Sequence, residues 1–311
     1  MKYAAPTTID EACSLLAGNA DAVVFAGATD VVPQMRGGRP EPAMLIDLKK
    51  IDRLMTVSCD GDTWRIGAAV PASALTADTD FSSDFPGLTE AAGLIGSDQI
   101  QNRSSLGGNL CNASPAADSV PSLVVNDAVA VIASAHGERR AAVAEVVTGP
   151  GRTSLAHDEI VVCFELGRPP ERTADAYLRL IPRTEMDIAV VGAAVRLTLG
   201  PDSTVSDAAV ALGAVAPTVV RVPAAQTALV GSRLDDAALA AAAESASAAC
   251  NPIDDKRGTV AYRRQVAGVL TRRAAGIAAE RIRTADGQPR RQPNHSEPNH
   301  SEPNHSEQGS S

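Results

Sequence analysis

The sequence predicts an α+β protein: an α/β amino-terminal region followed by a small sheet covered by helices. Three observations carry this reading. Short apolar runs alternate with helical patterns through the first half. Two long strand-like stretches are then followed by two long helical ones, and a Pro-Pro linker lies between the two regions.

The elements follow in order. Thr8-Ile9-Asp10-Glu11 has the form of a capping box, so a helix runs to Ala17 and Gly18 ends it. Ala22-Val23-Val24-Phe25 reads as a buried strand that breaks at Ala26-Gly27-Ala28-Thr29-Asp30. Met44 to Leu48 and Thr63 to Gly67 are two further strands, and Pro86 to Ile95 is a helix with proline in its first turn. A polar stretch containing Ser105-Leu106-Gly107-Gly108-Asn109 follows as a loop. Asp127 to Ala133 and Glu159 to Glu165 close the region as strands. Pro169-Pro170-Glu171-Arg172 is the linker. Ile188 to Leu199 and Val205 to Val215 are long strands, and Leu234 to Cys250 and Thr259 to Ile282 are helices.

Composition narrows the function. Of 311 residues 44 % are apolar but only 3 % aromatic, so Ala, Val, Leu and Ile must build the core. Runs such as Ala240 to Ala243 suit helices that approach closely. The net charge is −9 and no basic stripe carries interleaved aromatics, which argues against nucleic-acid binding. No apolar run is long enough to span a bilayer, and the start has no signal-peptide pattern, so the expected location is the cytoplasm. The five cysteines, Cys13, Cys59, Cys111, Cys163 and Cys250, are dispersed and never at metal-ligand spacing. No zinc or iron–sulfur site is expected in this chain. Pro-Asn-His-Ser-Glu occurs three times between Pro293 and Glu307, in a stretch almost without apolar side chains, and this tail is expected to be disordered. His136 and His157 read as surface residues of loops.

Two glycine-containing segments carry the chemistry. Ala26-Gly27-Ala28-Thr29-Asp30 directly follows a strand, where small residues let backbone N–H groups face an anion and Thr29 adds a hydroxyl. Ser105-Leu106-Gly107-Gly108-Asn109 offers adjacent glycines between a hydroxyl and an amide. Each segment alone is equally a tight turn. Two such segments suit the two phosphates of a dinucleotide, while neither has the glycine spacing of a Rossmann turn or the lysine of a P-loop.

The stretch Gln99-Ile100-Gln101-Asn102-Arg103-Ser104-Ser105-Leu106-Gly107-Gly108-Asn109, followed by Ala113-Ser114-Pro115-Ala116-Ala117-Asp118, resembles a family signature. The family is that of the FAD-binding medium subunits of the xanthine dehydrogenase and carbon monoxide dehydrogenase group, the molybdenum hydroxylases. Its A-G-G-T-D motif is similar to Ala26 to Asp30. The resemblance implies a FAD-binding domain of the vanillyl-alcohol-oxidase (PCMH) type with two α/β subdomains over residues 1–168. It further implies a carbon monoxide dehydrogenase flavoprotein-like carboxy-terminal domain, a small antiparallel sheet plus helices, over 173–283. The tail, 284–311, lies outside it.

Carried over by motif, the resemblance places the FAD pyrophosphate between Ala26, Gly27, Ala28, Thr29, Asp30 and Val31 on one side and Ser105, Leu106, Gly107, Gly108 and Asn109 on the other. It gives Asp118 a hydrogen bond to the cofactor, aligns Arg179 with a base near the flavin ring, and brings Val161 against the cofactor. With no histidine in the first loop, FAD is expected to bind noncovalently. The implied function is electron transfer: a large subunit carries the molybdenum cofactor, a small subunit carries 2Fe–2S clusters, and this chain passes their electrons to an external acceptor in a dimer of heterotrimers. No catalytic or metal-ligating residue is expected here.

The sequence departs from the signature at Ala28 and Ser104, where the family has glycine, and at Ser105, where it has threonine. A Cβ at a positive φ carries a cost, so Ala28 alters the loop, and Ala28 and Ser104 together keep open the alternative of a flavin-free scaffold subunit. A second alternative, a stand-alone flavin oxidoreductase, would need its own substrate pocket with a base near the flavin, and no convincing histidine offers one.

Overall fold

The computed structural model describes residues 1–286. The repeat tail lies outside the described residues. The chain forms two α/β subdomains and a carboxy-terminal sheet-and-helix unit.

The first subdomain contains β1 (Lys2–Ala4), α1 (Ile9–Ala17), β2 (Ala22–Phe25), α2 (Val31–Arg36), β3 (Met44–Asp47) and α3 (Asp52–Met55). Its three strands are parallel in the order β1-β3-β2. The helix expected from the capping box is present. Thr8 Oγ1 accepts from the Glu11 N–H at 3.2 Å, and the Glu11 carboxylate accepts from the Thr7 N–H at 3.1 Å. Ala12, Cys13 and Leu16 form its buried face, against Ile46 and Val162.

The second subdomain runs through β4 (Val57–Asp60), β5 (Thr63–Gly67), α4 (Ala72–Ala77), α5 (Thr79–Asp84), α6 (Pro86–Gly93), α7 (Asp98–Gln101), α8 (Leu106–Cys111) and α9 (Ser119–Val125). It continues with β6 (Val129–Ser134), β7 (Gly137–Ala142), α10 (Val143–Val146), β8 (Val147–Gly149), β9 (Arg152–Thr153) and β10 (Ile160–Gly167). The order β4-β5-β10-β6-β7 is antiparallel, with β10 inserted between β5 and β6. A bulge between Val161 and Cys163 splits the strand's allegiance: Val161 packs in this subdomain's core and Val162 in the first one's. The segment read as a glycine loop is instead the start of α8. Ser105 Oγ caps it by accepting from the Gly108 N–H at 3.1 Å, and this, with tertiary contact, overrides the poor helix propensity of two glycines.

Behind these lie β11 (Thr173–Leu180), β12 (Val191–Leu199), β13 (Val205–Gly213), β14 (Val220–Arg221), α11 (Pro223–Leu229), α12 (Asp236–Ala248) and α13 (Val260–Ala285). The four strands form an antiparallel meander covered by the helices. The alanine run of α12 lets α13 approach closely: a Cβ on Gly268 would stand 2.7 Å from the Ala243 carbonyl oxygen. Helix α13 extends past the expected boundary at 283, to Ala285, and Asp286 accepts from Arg172 at 2.6 Å.

The carboxy-terminal unit is welded to the second subdomain through β11. Asp175 accepts from the N–H groups of Gly87 (2.7 Å) and Leu88 (3.0 Å) at the start of α6, and from Asn126 Nδ2 (2.8 Å). Gly87 is required there, because a Cβ would lie 2.6 Å from the Ala176 nitrogen. Tyr177, Ala194, Ala209 and Ala211 join the second subdomain's core.

Candidate functional site

Between the first two subdomains lies a cleft of about 580 Å³. Three stretches line it: the end of β2 with the loop to Val31, the segment from Ser104 to Asn112, and the β8–β9 hairpin with the loop to Glu159. The expected residues Ala26, Gly27, Ala28, Thr29, Asp30 and Val31 all line it, as do Ser105, Gly108 and Asn109.

The first loop has the form of an anion cradle. None of the backbone N–H groups of Gly27, Ala28, Thr29 and Asp30 donates a hydrogen bond within the described chain, and neither does the Thr29 hydroxyl. Four successive amides and a hydroxyl on a cleft wall can take a phosphate. The loop is braced from below. Lys49 Nζ donates to the Ala26 carbonyl (2.8 Å) and to Asp47 (2.6 Å), and it lies 4.7 Å from the centre of the Phe25 ring. Burial pushes the Asp47 carboxyl up, but hydrogen bonds from Lys49 and Tyr3 more than offset that and hold it below its ordinary value. Ala28 adopts φ +59°, the left-handed conformation that the family's glycine accepts without strain.

The two motifs touch. A Cβ on Gly27 would fall 1.8 Å from the Arg103 carbonyl oxygen. The second motif contributes less to the cradle than its glycines suggest. The Gly107 N–H donates to the Ala68 oxygen (3.1 Å), the Gly108 N–H to Ser105 Oγ, and the Asn109 N–H to the Ser105 oxygen (2.9 Å). Leu106 and Gly107 are buried and stand behind the wall rather than on it. Asn109 Oδ1 is taken by the Ser119 hydroxyl (2.7 Å) and N–H (3.2 Å).

Three other residues expected at the cofactor are not among those lining this cleft. Val161 is core. Asp118 and Arg179 meet each other at 2.6 Å, and the Tyr177 hydroxyl donates to Asp118 at 2.8 Å. Burial pushes the Asp118 carboxyl up to about 6, against the opposing pull of Arg179 and Tyr177. The residues nearest to hand satisfy this carboxylate, because Asp118 begins α9 where β11 docks.

Other cleft residues were not legible from motifs. Along the rim Arg39 donates to Gln34 (2.6 Å), Gln34 to Asn112 (3.0 Å) and Asn112 to Asp30 (3.2 Å), a chain that ties α2 to α8. Burial raises the Asp30 carboxyl. His157, read as a surface residue, is exposed but also lines the cleft, with Nε2 2.9 Å from the Asn19 oxygen. The only sequence signal for this wall is the turn Gly149-Pro150-Gly151.

The residues present fit a dinucleotide: free amides for phosphate, small side chains at the crossing, and a long cleft. A family model described as "FAD binding domain in molybdopterin dehydrogenase" matches residues 1–168, and one described as "CO dehydrogenase flavoprotein C-terminal domain" matches 176–278. The xanthine dehydrogenase FAD-binding subunit of Escherichia coli O157:H7 is 31 % identical over 289 residues, covering 92 % of this chain and 97 % of that protein. The carbon monoxide dehydrogenase medium chain of Hydrogenophaga pseudoflava is 31 % identical over 278 residues, covering 89 % and 96 %. Among solved structures, a carbon monoxide dehydrogenase from Hydrogenophaga pseudoflava that lacks the Mo-pyranopterin moiety superposes with a TM-score of 0.86 at 32 % identity, covering 90 % of this chain and 98 % of that one. Quinoline 2-oxidoreductase from Pseudomonas putida 86 gives 0.84 at 27 % identity, covering 90 % and 97 %. With two α/β subdomains enclosing the cleft and family models matching most of its length, the chain belongs to the FAD-binding medium subunits of the xanthine and carbon monoxide dehydrogenase family.

Proposed function

We propose that this chain holds one FAD noncovalently in the cleft and serves as the electron-transfer subunit of a molybdenum hydroxylase. In this reading a large partner subunit carries the molybdenum cofactor and a small one carries the 2Fe–2S clusters. Electrons enter this chain from those clusters and leave to an external acceptor, in a dimer of heterotrimers. The relatives' names, "medium chain" and "FAD-binding subunit", support a multi-subunit setting. Among the described residues, no group of three or more His, Cys, Asp or Glu side chains could hold a metal ion.

The observation that carries the reading is the row of unpartnered N–H groups from Gly27 to Asp30 on the cleft wall. The bound flavin supplies the electron-accepting ring. The chain's own residues position it. The amides of Gly27, Ala28 and Thr29 and the Thr29 hydroxyl hold the phosphates, Ser105 and Gly107 hold α8 in place, and Asn109 and the rim chain from Arg39 to Asp30 fix the second wall. In this reading Asp118, Arg179 and Val161 complete the cofactor contacts, and the Asp118–Arg179 pair also fixes α9 to β11. Residues 1–168 are the cofactor domain, and the unit from 173 onward seals its far side.

Titrating FAD against the full-length, flavin-free chain while following flavin fluorescence tests this. Saturable one-to-one binding that ADP competes away supports a phosphate cradle. Uptake of FMN in preference to FAD, or no uptake of either, contradicts it.

A further inference from the structure

Among the described residues, three buried side-chain polar atoms have no hydrogen-bond partner: Ser104 Oγ, Arg179 Nε and Arg196 Nε. The two arginines are paired through their terminal nitrogens, to Asp118 and to Asp127 and Asp207. Ser104 is different, because its hydroxyl is its only polar side-chain atom. The residue is 5 % exposed and lines the cleft.

Its backbone is fixed. The Ser104 N–H donates to the Ile100 oxygen (2.7 Å), and the Ser104 oxygen accepts from the Ala72 N–H (2.8 Å). These bonds hold the residue's backbone at the cleft wall. It also sits at the seam of the two motifs: a Cβ on Gly27 would lie 3.0 Å from the Ser104 nitrogen. A buried hydroxyl left without a partner is destabilising. A polar group held at the cleft wall, with its partner absent from the chain, is explained if the partner is the ligand.

Resting on the FAD reading above, we propose that Ser104 Oγ is an additional cofactor contact. It hydrogen-bonds an oxygen of the bound dinucleotide and sharpens the cleft's affinity for it. Ser104 is then a positioning residue whose bond exists only in the loaded protein.

The test compares the full-length wild-type chain with Ser104→Ala, and with Ser104→Gly as a second variant that restores the signature residue. FAD dissociation constants are read by flavin fluorescence, and melting temperatures are taken with and without FAD. The expected result is a roughly fivefold to tenfold weaker FAD affinity in both variants, the loss of one hydrogen bond. The flavin-free melting temperature of Ser104→Ala should equal or exceed that of wild type, because no bond is lost in that state. Wild-type binding with unchanged affinity in the variants overturns the role of Ser104 alone. So does a melting-temperature loss of equal size with and without FAD. A wild-type chain that takes up no FAD overturns the cofactor reading and this inference with it.

Discussion

The Asp118 carboxylate and the Arg179 guanidinium meet at 2.6 Å across the boundary between the second subdomain and the carboxy-terminal sheet, with both side chains about nine-tenths buried or more. Tyr177, one turn of the pleat away on β11, donates to the same carboxylate. The pair joins the two regions and makes their union dependent on pH. Burial is the largest influence on Asp118 and raises its carboxyl from 3.8 to about 6. The folded chain therefore retains a proton that the unfolded chain releases between these values. Asp118 favours folding below its unfolded pKa, and that contribution is lost as the pH rises through about 6. The stability difference between wild type and Asp118→Asn should fall by ~2–3 kcal/mol from about pH 4 to about pH 7, read by urea denaturation. A difference that rises over this range would mean that the Arg179 pairing outweighs desolvation.

Asp175 fixes the same interface through α6. Its carboxylate accepts three hydrogen bonds, two of them from backbone N–H groups of Gly87 and Leu88. Asp175→Ala leaves those buried donors without partners and should cost about 3 kcal/mol in urea denaturation, with Asp175→Asn costing less. A loss below about 1 kcal/mol would show that the helix end is otherwise satisfied.

Gly27 is the residue that lets the two motifs cross. Its substitution by alanine puts a methyl group 1.8 Å from the Arg103 oxygen, and backbone cannot yield there as a flexible side chain would. Gly27→Ala should weaken FAD binding at least ~10-fold, about 1.4 kcal/mol, and lower the melting temperature. Retention of wild-type affinity would place the cofactor away from this crossing.

Ala28 provides the opposite case. At φ +59° its Cβ is strained, so Ala28→Gly relieves the native state, while the added freedom of the unfolded chain takes back part of the gain. A net stabilisation of about 0.5 kcal/mol is expected by chemical denaturation, with FAD binding intact. Destabilisation would show that the loop's free-state rigidity outweighs its strain.

Much of this architecture was legible in the residues, for identifiable reasons. Helix α1 announces itself through Thr8, Glu11 and Gly18, and β2 through an uninterrupted apolar run. The first motif, which lines the cleft, was legible because its chemistry is local: small residues after a strand. Strand β7 was not legible, since it lies at a sheet edge where Arg139 and Arg140 face Glu159 and Glu165 and no apolar alternation is needed. Nor was α8, because Gly107 and Gly108 read as a turn until the contact with Ala68 is known. The pairing of Asp118 with Arg179 was not legible, because the docking of β11, a contact between distant segments, brings them together. His157 reaches the cleft wall through the same kind of long-range placement.

The most direct test of the central claim is the absorbance spectrum of the purified full-length chain before and after heat denaturation, with chromatography of whatever is released. Flavin bands in the native protein and intact FAD in the supernatant are the predicted result, since nothing in the first loop attaches the cofactor covalently. A colourless chain that also fails to take up added FAD, or flavin that stays with the precipitate, would contradict it.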